Sequence, residues 1–522
     1  MKYPIGIQNF EKLRNSGYEY IDKTAWLYKL IEEGSYYFLS RPRRFGKSLL
    51  LSTLEAFFSG KKELFKGLAI EKLETKWQNH PILHLDLNTE KYDTPEALVG
   101  VLNDFLTKKE KIYGSESSEV SLGLRFQGII RRAFEITGQQ VVILVDEYDK
   151  PLLQAIGKPE LQEEYRNTLK AFYGALKSMD RYIRIAFLTG VTKFGKVSVF
   201  SDLNNLTDIS FDKRYSEICG ITEEELHSYF DQSIAEVAEE NNMTKEACYE
   251  KMKRDFDGYY FTIPSKGMYN PFSILNTLSS KQFRDYWFET GTPSFLVYQL
   301  QKTGYNLNNI TKENLSTDTL NSIDIMDTNP LPLLYQSGYL TLKSYNARFD
   351  EYTLGFPNRE VEQGFVKYLL PFYTPKNEDK TTFAIPHFVK DVERGDAEGF
   401  MQRLEDFFAT GDYQVMGNLE IYFQNTIFVI FRLIGFYVTV ERHTTRGRID
   451  IVMQTPQYIY ILELKIDKSA QEALDQIEEK GYADNFAGDN RKIFKIGINF
   501  DSETKKINDW KIILHKVENS NN

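Results

Sequence analysis

The amino-acid sequence predicts an α/β protein in three parts. A parallel sheet wrapped by helices occupies the first two hundred residues, a helical region follows, and a C-terminal unit runs in the order αβββαβ. Three observations carry this. Short unbroken apolar runs, VVILV (141–145) the clearest, recur among helical stretches, and a run without polar alternation suits a strand covered on both faces. From about Ser216 those runs give way to helical periodicity. In the last hundred residues three β-rich runs, a helix and one further run follow in close succession.

Within residues 1–212, YYFLS (36–40), ILHLDL (82–87), VVILV (141–145) and IRIAFLTG (183–190) are the strand candidates. The helical stretches between them make a βαβ layout. Residues 213–328 read as a helical lid. There ITEEELHSYFDQSIAEV opens with Thr222 and has Glu225 three residues later, a capping-box signature. YNPFSILNTL and PSFLVYQLQ continue the helical pattern.

Over 329–375, LPLLYQSGYLTLKSY, ARFDEYTLGF and NREVEQGFVKYLL give a helix end, a hairpin and a helix, the order of a small winged-helix module. Residues 376–410 read as linker and helical connector. In 411–522, NLEIYFQNTIFVIFRLIG is a helix, FYVTVE, RIDIVMQ and YIYILELKI are strands, SAQEALDQIEEKGYA is a helix, and KIFKIGINF is a strand.

Composition narrows the function classes. A chain of 522 residues exceeds what one core sustains. Two cysteines, Cys219 and Cys248, allow neither a disulfide framework nor a cysteine zinc cluster, which fits a reducing compartment. MKYPIGIQNF resembles no signal or transit peptide, and no apolar run approaches the roughly 18 residues of a spanning helix. The expectation is a cytoplasmic protein without a membrane partner. A net charge of −10 leaves any nucleic-acid contact to local basic patches. The histidines show no H-E-x-x-H spacing and no G-x-S-x-G elbow occurs.

The sharpest motif is RPRRFGKSLLLSTL (41–54). A strand, a basic loop, Gly-Lys-Ser and an apolar helix form the context a phosphate-binding loop requires. Gly46 would let the backbone approach a nucleotide, Lys47 would reach the β- and γ-phosphates, and the Ser48 hydroxyl would ligate Mg²⁺. Arg41 stands where the pattern wants its first glycine. A solvated basic loop is the alternative. About a hundred residues on, VVILVDEYDK ends a strand in Asp146-Glu147. That placement suits one carboxylate for Mg²⁺ and one to polarise an attacking water, although acidic turn residues also end strands. In IAFLTGVTKF, Thr189 or Thr192 would sense the γ-phosphate or simply cap a strand end.

With these residues in hand, RPRRFGKSLLLSTL and VDEYDKPL together resemble the predicted AAA-ATPase-like proteins of bacteria, relatives of the archaeal-type STAND ATPases. The resemblance covers roughly residues 1–210 and continues through YNPFSILN. It implies a P-loop ATPase fold and ATP with Mg²⁺ as cofactors. The related loop reads G-P-R-R-x-G-K-[ST], so Pro42, Arg43, Arg44, Gly46, Lys47 and Ser48 match it, which adds Arg43 and Arg44 to the nucleotide-binding set. Arg41 departs, and is expected to alter the loop and to add charge near the phosphates.

A second constellation lies in GRIDIVMQTPQYIYILELK. Asp450 lies in one apolar strand, and Glu463 and Lys465 share a face of the next by alternation. Hairpin neighbours would bring the carboxylates together as an oxygen-rich site for Mg²⁺ or Mn²⁺, with Lys465 placed to neutralise developing charge. A surface strand carrying a salt bridge is the alternative. The αβββαβ order resembles the PD-(D/E)XK nuclease superfamily. That resemblance extends to Glu420 as an additional metal-site carboxylate, Gln476 as a phosphate or supporting contact, and Tyr482.

An AAA-ATPase-like region followed by such a nuclease-like domain is itself a known family architecture. Together these readings imply an ATP-binding, ATP-hydrolysing protein that controls a metal-dependent nuclease domain. Nucleic acid is the implied partner, DNA favoured over RNA, and a homo-oligomer fits the architecture. The competing reading is a nucleotide-gated switch whose nuclease-like domain binds nucleic acid or protein without cutting.

Overall fold

A computed structural model describes residues 1–193, 199–200, 203, 205–289, 294–321, 329–373, 384–409, 419–435, 437, 439–445, 448–486, 489–504 and 506–515, without some side chains, Glu420 and Asp450 among them. The chain divides into two compact units. Unit 1 comprises Met1–Gly291 and Glu313–Val361, and unit 2 comprises Thr292–Lys312 and Glu362–Asn522.

Unit 1 is built on a parallel sheet of β1 (Tyr36–Ser40), β2 (Ile82–Asp86), β3 (Val141–Asp146), β4 (Ile183–Gly190) and β5 (Thr207–Asp208), in the order β2-β3-β4-β1-β5. β1 and β3 are buried at every position, which is why their sequences carry no polar alternation. Helices packed on the sheet supply a core that includes Leu102, Phe126, Ile129, Leu169 and Phe172. The register aligns the carboxyl ends, Asp86 with Asp146, Leu39 with Thr189 and Ser40 with Gly190. Ligands in open α/β sheets bind outside those ends.

The helical middle region belongs to the same unit. The capping box at Thr222 forms as the sequence predicts, with Glu225 N–H donating to the Thr222 hydroxyl and Thr222 N–H donating back. The Glu225 carboxylate also receives Lys23 Nζ at 2.6 and 2.7 Å, so one side chain caps a helix and anchors the N-terminal segment. Further along, the helix Leu331–Gln336 precedes β7 (Thr341–Asn346) and β8 (Glu351–Gly355), and β6 (Asn314–Ser316) completes an antiparallel sheet in the order β6-β8-β7. The helix Arg359–Leu369 follows.

Unit 2 holds a mixed sheet of β9 (Thr439–Thr445), β10 (Arg448–Gln454), β11 (Tyr458–Ile466), β12 (Lys492–Asp501) and β13 (Lys506–His515), in the order β13-β12-β11-β10-β9. β11 and β12 run parallel, and the other pairs are antiparallel. β13 extends the expected αβββαβ order by one edge strand. The helix Ala470–Glu479 crosses closely over β12, where a Cβ on Gly497 would lie 2.2 Å from the Ala470 carbonyl. Among the described residues no helix is long and apolar enough to cross a membrane.

Candidate functional site

The loop between β1 and the helix Lys47–Phe58 is shaped by two left-handed residues, Arg44 at φ 68° and Gly46 at φ 92°. Gly46 is the N-cap of that helix, and no side chain caps it. The first-turn N–H groups therefore retain the partial positive charge that favours an anion. A Cβ on Gly46 would meet no atom within 4 Å, so this face of the loop is open to a ligand. Lys47 is buried, and its ammonium donates to the carbonyls of Arg41 at 2.9 Å and Pro42 at 3.1 Å. Burial lowers its pKa, opposed by Glu147, Asp146 and Asp149.

Arg41 does not have a left-handed backbone, so the missing first glycine imposes no strain. Its side chain is 1% exposed and turned into the protein. The guanidinium donates to the carbonyls of Ser40 and Ser210 at 2.9 Å and of Tyr215 at 3.2 Å, and lies 4.0 Å from the centre of the Phe261 ring. Its two terminal nitrogens donate to backbone carbonyls and tie the loop to the segment after β5, while Nε has no hydrogen-bond partner among the described residues. The expectation that Arg41 adds charge beside the phosphates is therefore replaced by a structural role. Its neighbours are held from the same region. Trp287 Nε1 donates to the Arg43 carbonyl at 3.2 Å, and Phe45 packs edge-on against Tyr259 and Phe261. Arg44 is exposed over the Phe272 ring.

At the end of β3, Asp146 Oδ1 accepts from the Thr189 hydroxyl at 2.6 Å and from Glu147 N–H at 3.1 Å. Thr189 is thus engaged with a carboxylate, as is Thr192, whose N–H and hydroxyl both donate to Asp149. Glu147 sits at φ 51°. Burial raises its carboxyl pKa, opposed by Lys47 and Lys150. Asp149 lies within the VDEYDKPL stretch, but sequence reasoning assigns it no role. It is almost fully buried, and burial raises its pKa against the Thr192 hydrogen bonds.

Beside Gly46 opens a cavity of about 100 Å³, several times the room a single water needs. Its walls include Leu13, Tyr20, Phe45, Leu49, Ile218 and Phe230. A mainly apolar cavity next to an open helix N-terminus suits a heteroaromatic ring attached to a phosphate chain. ATP with Mg²⁺ thus fits the residues present. Ser48 and Asp146 would hold the cation, and Gly46 and Lys47 would hold the phosphates.

In unit 2 the β10–β11 register pairs Asp450 directly with Glu463. The Glu463 side chain is fully buried, and Lys465 Nζ donates to Glu463 Oε1 at 3.0 Å and also to Gln476 Oε1. The strand, its neighbour and the overlying helix thus bring Glu463, Lys465 and Gln476 together, with Asp450 opposite in the backbone pairing. Tyr482 is partly buried against the small core containing Ile459, Ile461 and Leu474. Glu420 lies on the helix Leu419–Ile434; its side chain and that of Asp450 fall outside what the structure describes. Among the described residues no three His, Cys, Asp or Glu side chains gather into a metal-binding group.

The family model described as "Predicted AAA-ATPase" matches residues 4–200, and that of the PD-(D/E)XK nuclease superfamily matches residues 418–510. The "uncharacterized protein in vnfD 5'region" of Azotobacter chroococcum mcd 1 is 34% identical over 518 residues, which span 97% of this chain and 98% of that protein. The chain belongs to the predicted AAA-ATPases that carry a C-terminal PD-(D/E)XK nuclease superfamily domain.

Both sites fall within the matched segments. The ATPase match ends at 200, yet the groups that hold the AAA-ATPase loop in shape, Ser210, Tyr215, Phe261 and Trp287, lie beyond it. No local signal in the sequence marks them, because each acts through a carbonyl or a ring face brought near by folding.

Proposed function

We propose that this chain binds and hydrolyses ATP in unit 1 and that its nucleotide state governs a metal-dependent, phosphodiester-cleaving domain in unit 2. The observation that carries the reading is the direct pairing of Asp450 with Glu463 in a nuclease-superfamily sheet, in a chain that also has an open glycine-lysine-serine loop beside an acidic strand end. In the ATPase part, Gly46 and the first helical turn accept the phosphates, flanked by Arg43 and Arg44. Lys47 exchanges the Arg41 and Pro42 carbonyls for phosphate oxygens. Ser48 and Asp146 hold Mg²⁺, the Thr189 hydroxyl orients Asp146, and Glu147 takes the proton of the attacking water. The adenine ring occupies the cavity walled by Tyr20, Phe45 and Ile218.

In the nuclease domain Asp450 and Glu463 hold the cation, with Glu420 as an auxiliary carboxylate. A bound Mg²⁺ or Mn²⁺ supplies an activated water and charge stabilisation at the scissile phosphate. Lys465, steadied by Gln476, neutralises charge on the phosphate as it develops. The nucleic acid is DNA in preference to RNA, the protein acts in the cytoplasm, and a homo-oligomer is its working form.

The test is a cleavage assay on supercoiled DNA, linear DNA and RNA with Mg²⁺ or Mn²⁺, with and without ATP. It compares wild type, Asp450→Ala and Lys47→Ala. Cutting should vanish in Asp450→Ala and lose its nucleotide dependence in Lys47→Ala. Intact nucleotide binding without cutting under any condition would overturn the nuclease assignment.

A further inference from the structure

The strand that brings Thr189 to the ATPase site continues into a set of clasps. Val191 and Thr192 N–H groups donate to Asp149 Oδ1 at 3.2 Å and Oδ2 at 2.6 Å, and the Thr192 hydroxyl adds a bond of 2.7 Å. Tyr148 N–H donates to the Thr189 carbonyl at 3.0 Å, and its hydroxyl donates to the Thr192 carbonyl at 3.1 Å. Gly190 permits this approach, since a Cβ there would lie 2.7 Å from both Asp149 Oδ1 and the Tyr148 ring. Glu147 is the residue between Asp146 and these clasps, at φ 51°. A non-glycine residue holds a left-handed backbone only where its surroundings over-determine it. Residues 189–192 therefore hold the chain immediately after Glu147, at Tyr148 and Asp149.

The next residue leads out of the matched ATPase segment. Lys193 N–H donates to Gln336 Oε1 at 2.5 Å, while its ammonium reaches Asn321 Oδ1 at 2.5 Å and Asp208 Oδ2 at 2.8 Å. Gln336 is 5% exposed. Its Nε2 donates to the Leu320 carbonyl at 2.5 Å, so one amide joins the end of β4 to the helix Thr317–Asn321. Two residues on, Gly338 at φ 88° touches the phosphate loop from the other side, where a Cβ would sit 2.5 Å from Pro42.

We propose that Gln336 is a positioning residue for ATP hydrolysis. Held in the helix–hairpin module 331–355, it fixes the exit of β4, and through the Asp149 and Tyr148 clasps it fixes the orientation of Glu147. The module thereby senses and sets the hydrolytic site, and a partner that displaces the hairpin would alter turnover without touching the nucleotide. The inference rests on the ATP-hydrolysis reading above.

The test measures steady-state turnover and the affinity of a fluorescent ATP analogue on the full chain. Gln336→Met keeps the volume and removes both hydrogen bonds, Gln336→Glu restores an acceptor for Lys193 N–H, and Glu147→Gln sets the zero. Gln336→Met should lower kcat on the order of tenfold to a hundredfold, while KM and nucleotide affinity stay within about threefold. Gln336→Glu, which restores the Lys193 contact but sets an oxygen against the Leu320 carbonyl, should recover only part of the lost kcat. A Gln336→Met enzyme with unchanged kcat, or one that loses affinity and turnover together, would overturn the proposal. Amide exchange provides an arm independent of turnover. Peptides covering residues 187–193 should exchange faster in Gln336→Met, and identical exchange refutes the coupling. A wild type that binds nucleotide without turning it over defeats the hydrolytic reading instead, and the exchange result then decides whether the module is coupled to β4.

Discussion

Replacing Arg41 by the glycine of the common phosphate-loop pattern should damage this protein. Motif logic alone expects Arg41→Gly to repair the loop. The structure gives the opposite sign, because Arg41 needs no left-handed backbone and its guanidinium serves the buried carbonyls of Ser40, Ser210 and Tyr215. Each hydrogen bond from a charged donor contributes about 1.5–3 kcal/mol, and the contact with Phe261 at 4.0 Å adds about 2 kcal/mol when desolvated. Against this stands the cost of burying a guanidinium, several kcal/mol, which also holds its pKa below the usual arginine value. A net loss of about 3–5 kcal/mol results from these opposing contributions. For a unit of this size that lowers its thermal transition by about 4–7 °C. Arg41→Lys should fall between, since one ammonium cannot span three carbonyls. Differential scanning calorimetry with a nucleotide-binding titration checks both variants. A midpoint for Arg41→Gly within about 2 °C of wild type, or a gain in nucleotide affinity, would refute the reasoning.

Two further substitutions probe the fold around the sites. Glu360 is buried, accepts from Trp287 N–H and the Ser273 hydroxyl at 2.7 Å each, and has its pKa pushed by burial up to about 8 from 4.5. An acid that is protonated when folded and ionised when unfolded costs stability as pH rises between those two values, about 1.4 kcal/mol per unit. Glu360→Gln should therefore match wild type near pH 4.5, gain on it steadily up to about pH 8 and run parallel above; thermal midpoints that stay parallel from pH 5 to 8.5 would contradict this. Gly497→Ala must displace the helix Ala470–Glu479, since its Cβ would fall 2.2 Å from the Ala470 carbonyl and 3.0 Å from Leu474. It should destabilise unit 2 by about 1–3 kcal/mol and reduce cleavage by drawing Gln476 away from Lys465, while ATP affinity of the full chain stays unchanged.

The features legible in the sequence were local ones. The strands 36–40 and 183–190, and those at 448–454 and 458–466, have the observed limits; in 36–40, and through most of 183–190 and 458–466, near-continuous burial leaves a run that polar turns cut cleanly. The Thr222 capping box was legible because all its partners lie within four residues. β13 was missed for the converse reason. It is an edge strand with Lys506, Asn508 and Lys511 exposed and with exposed Ile513 and Leu514, so neither a continuous run nor a clean alternation marks it. β5, of two residues, is below what periodicity can register. The placement of 292–312 with the C-terminal unit depends on contacts such as Leu307 N–H with Asn425 and Asn306 with Gln424, which join positions more than a hundred residues apart.

The phosphate loop shows why a departure from a motif need not weaken it. A consensus glycine can stand for two different needs, a backbone conformation closed to other residues or room for a neighbour to approach. At Gly46 the left-handed φ makes the first need real. At position 41 neither applies. The left-handed turns fall on residues 44 and 46, and the volume beside residue 41 is filled by its own guanidinium, which donates to the carbonyls of Ser40, Ser210 and Tyr215. Two of those carbonyls belong to residues 210 and 215, in the segment leading from the sheet into the helical region. In this chain the phosphate loop is therefore braced by residues beyond the matched ATPase segment, so that a movement of Phe261 or of the turn at Gly338 is felt at Arg41 and Pro42. A glycine at 41 would release that brace.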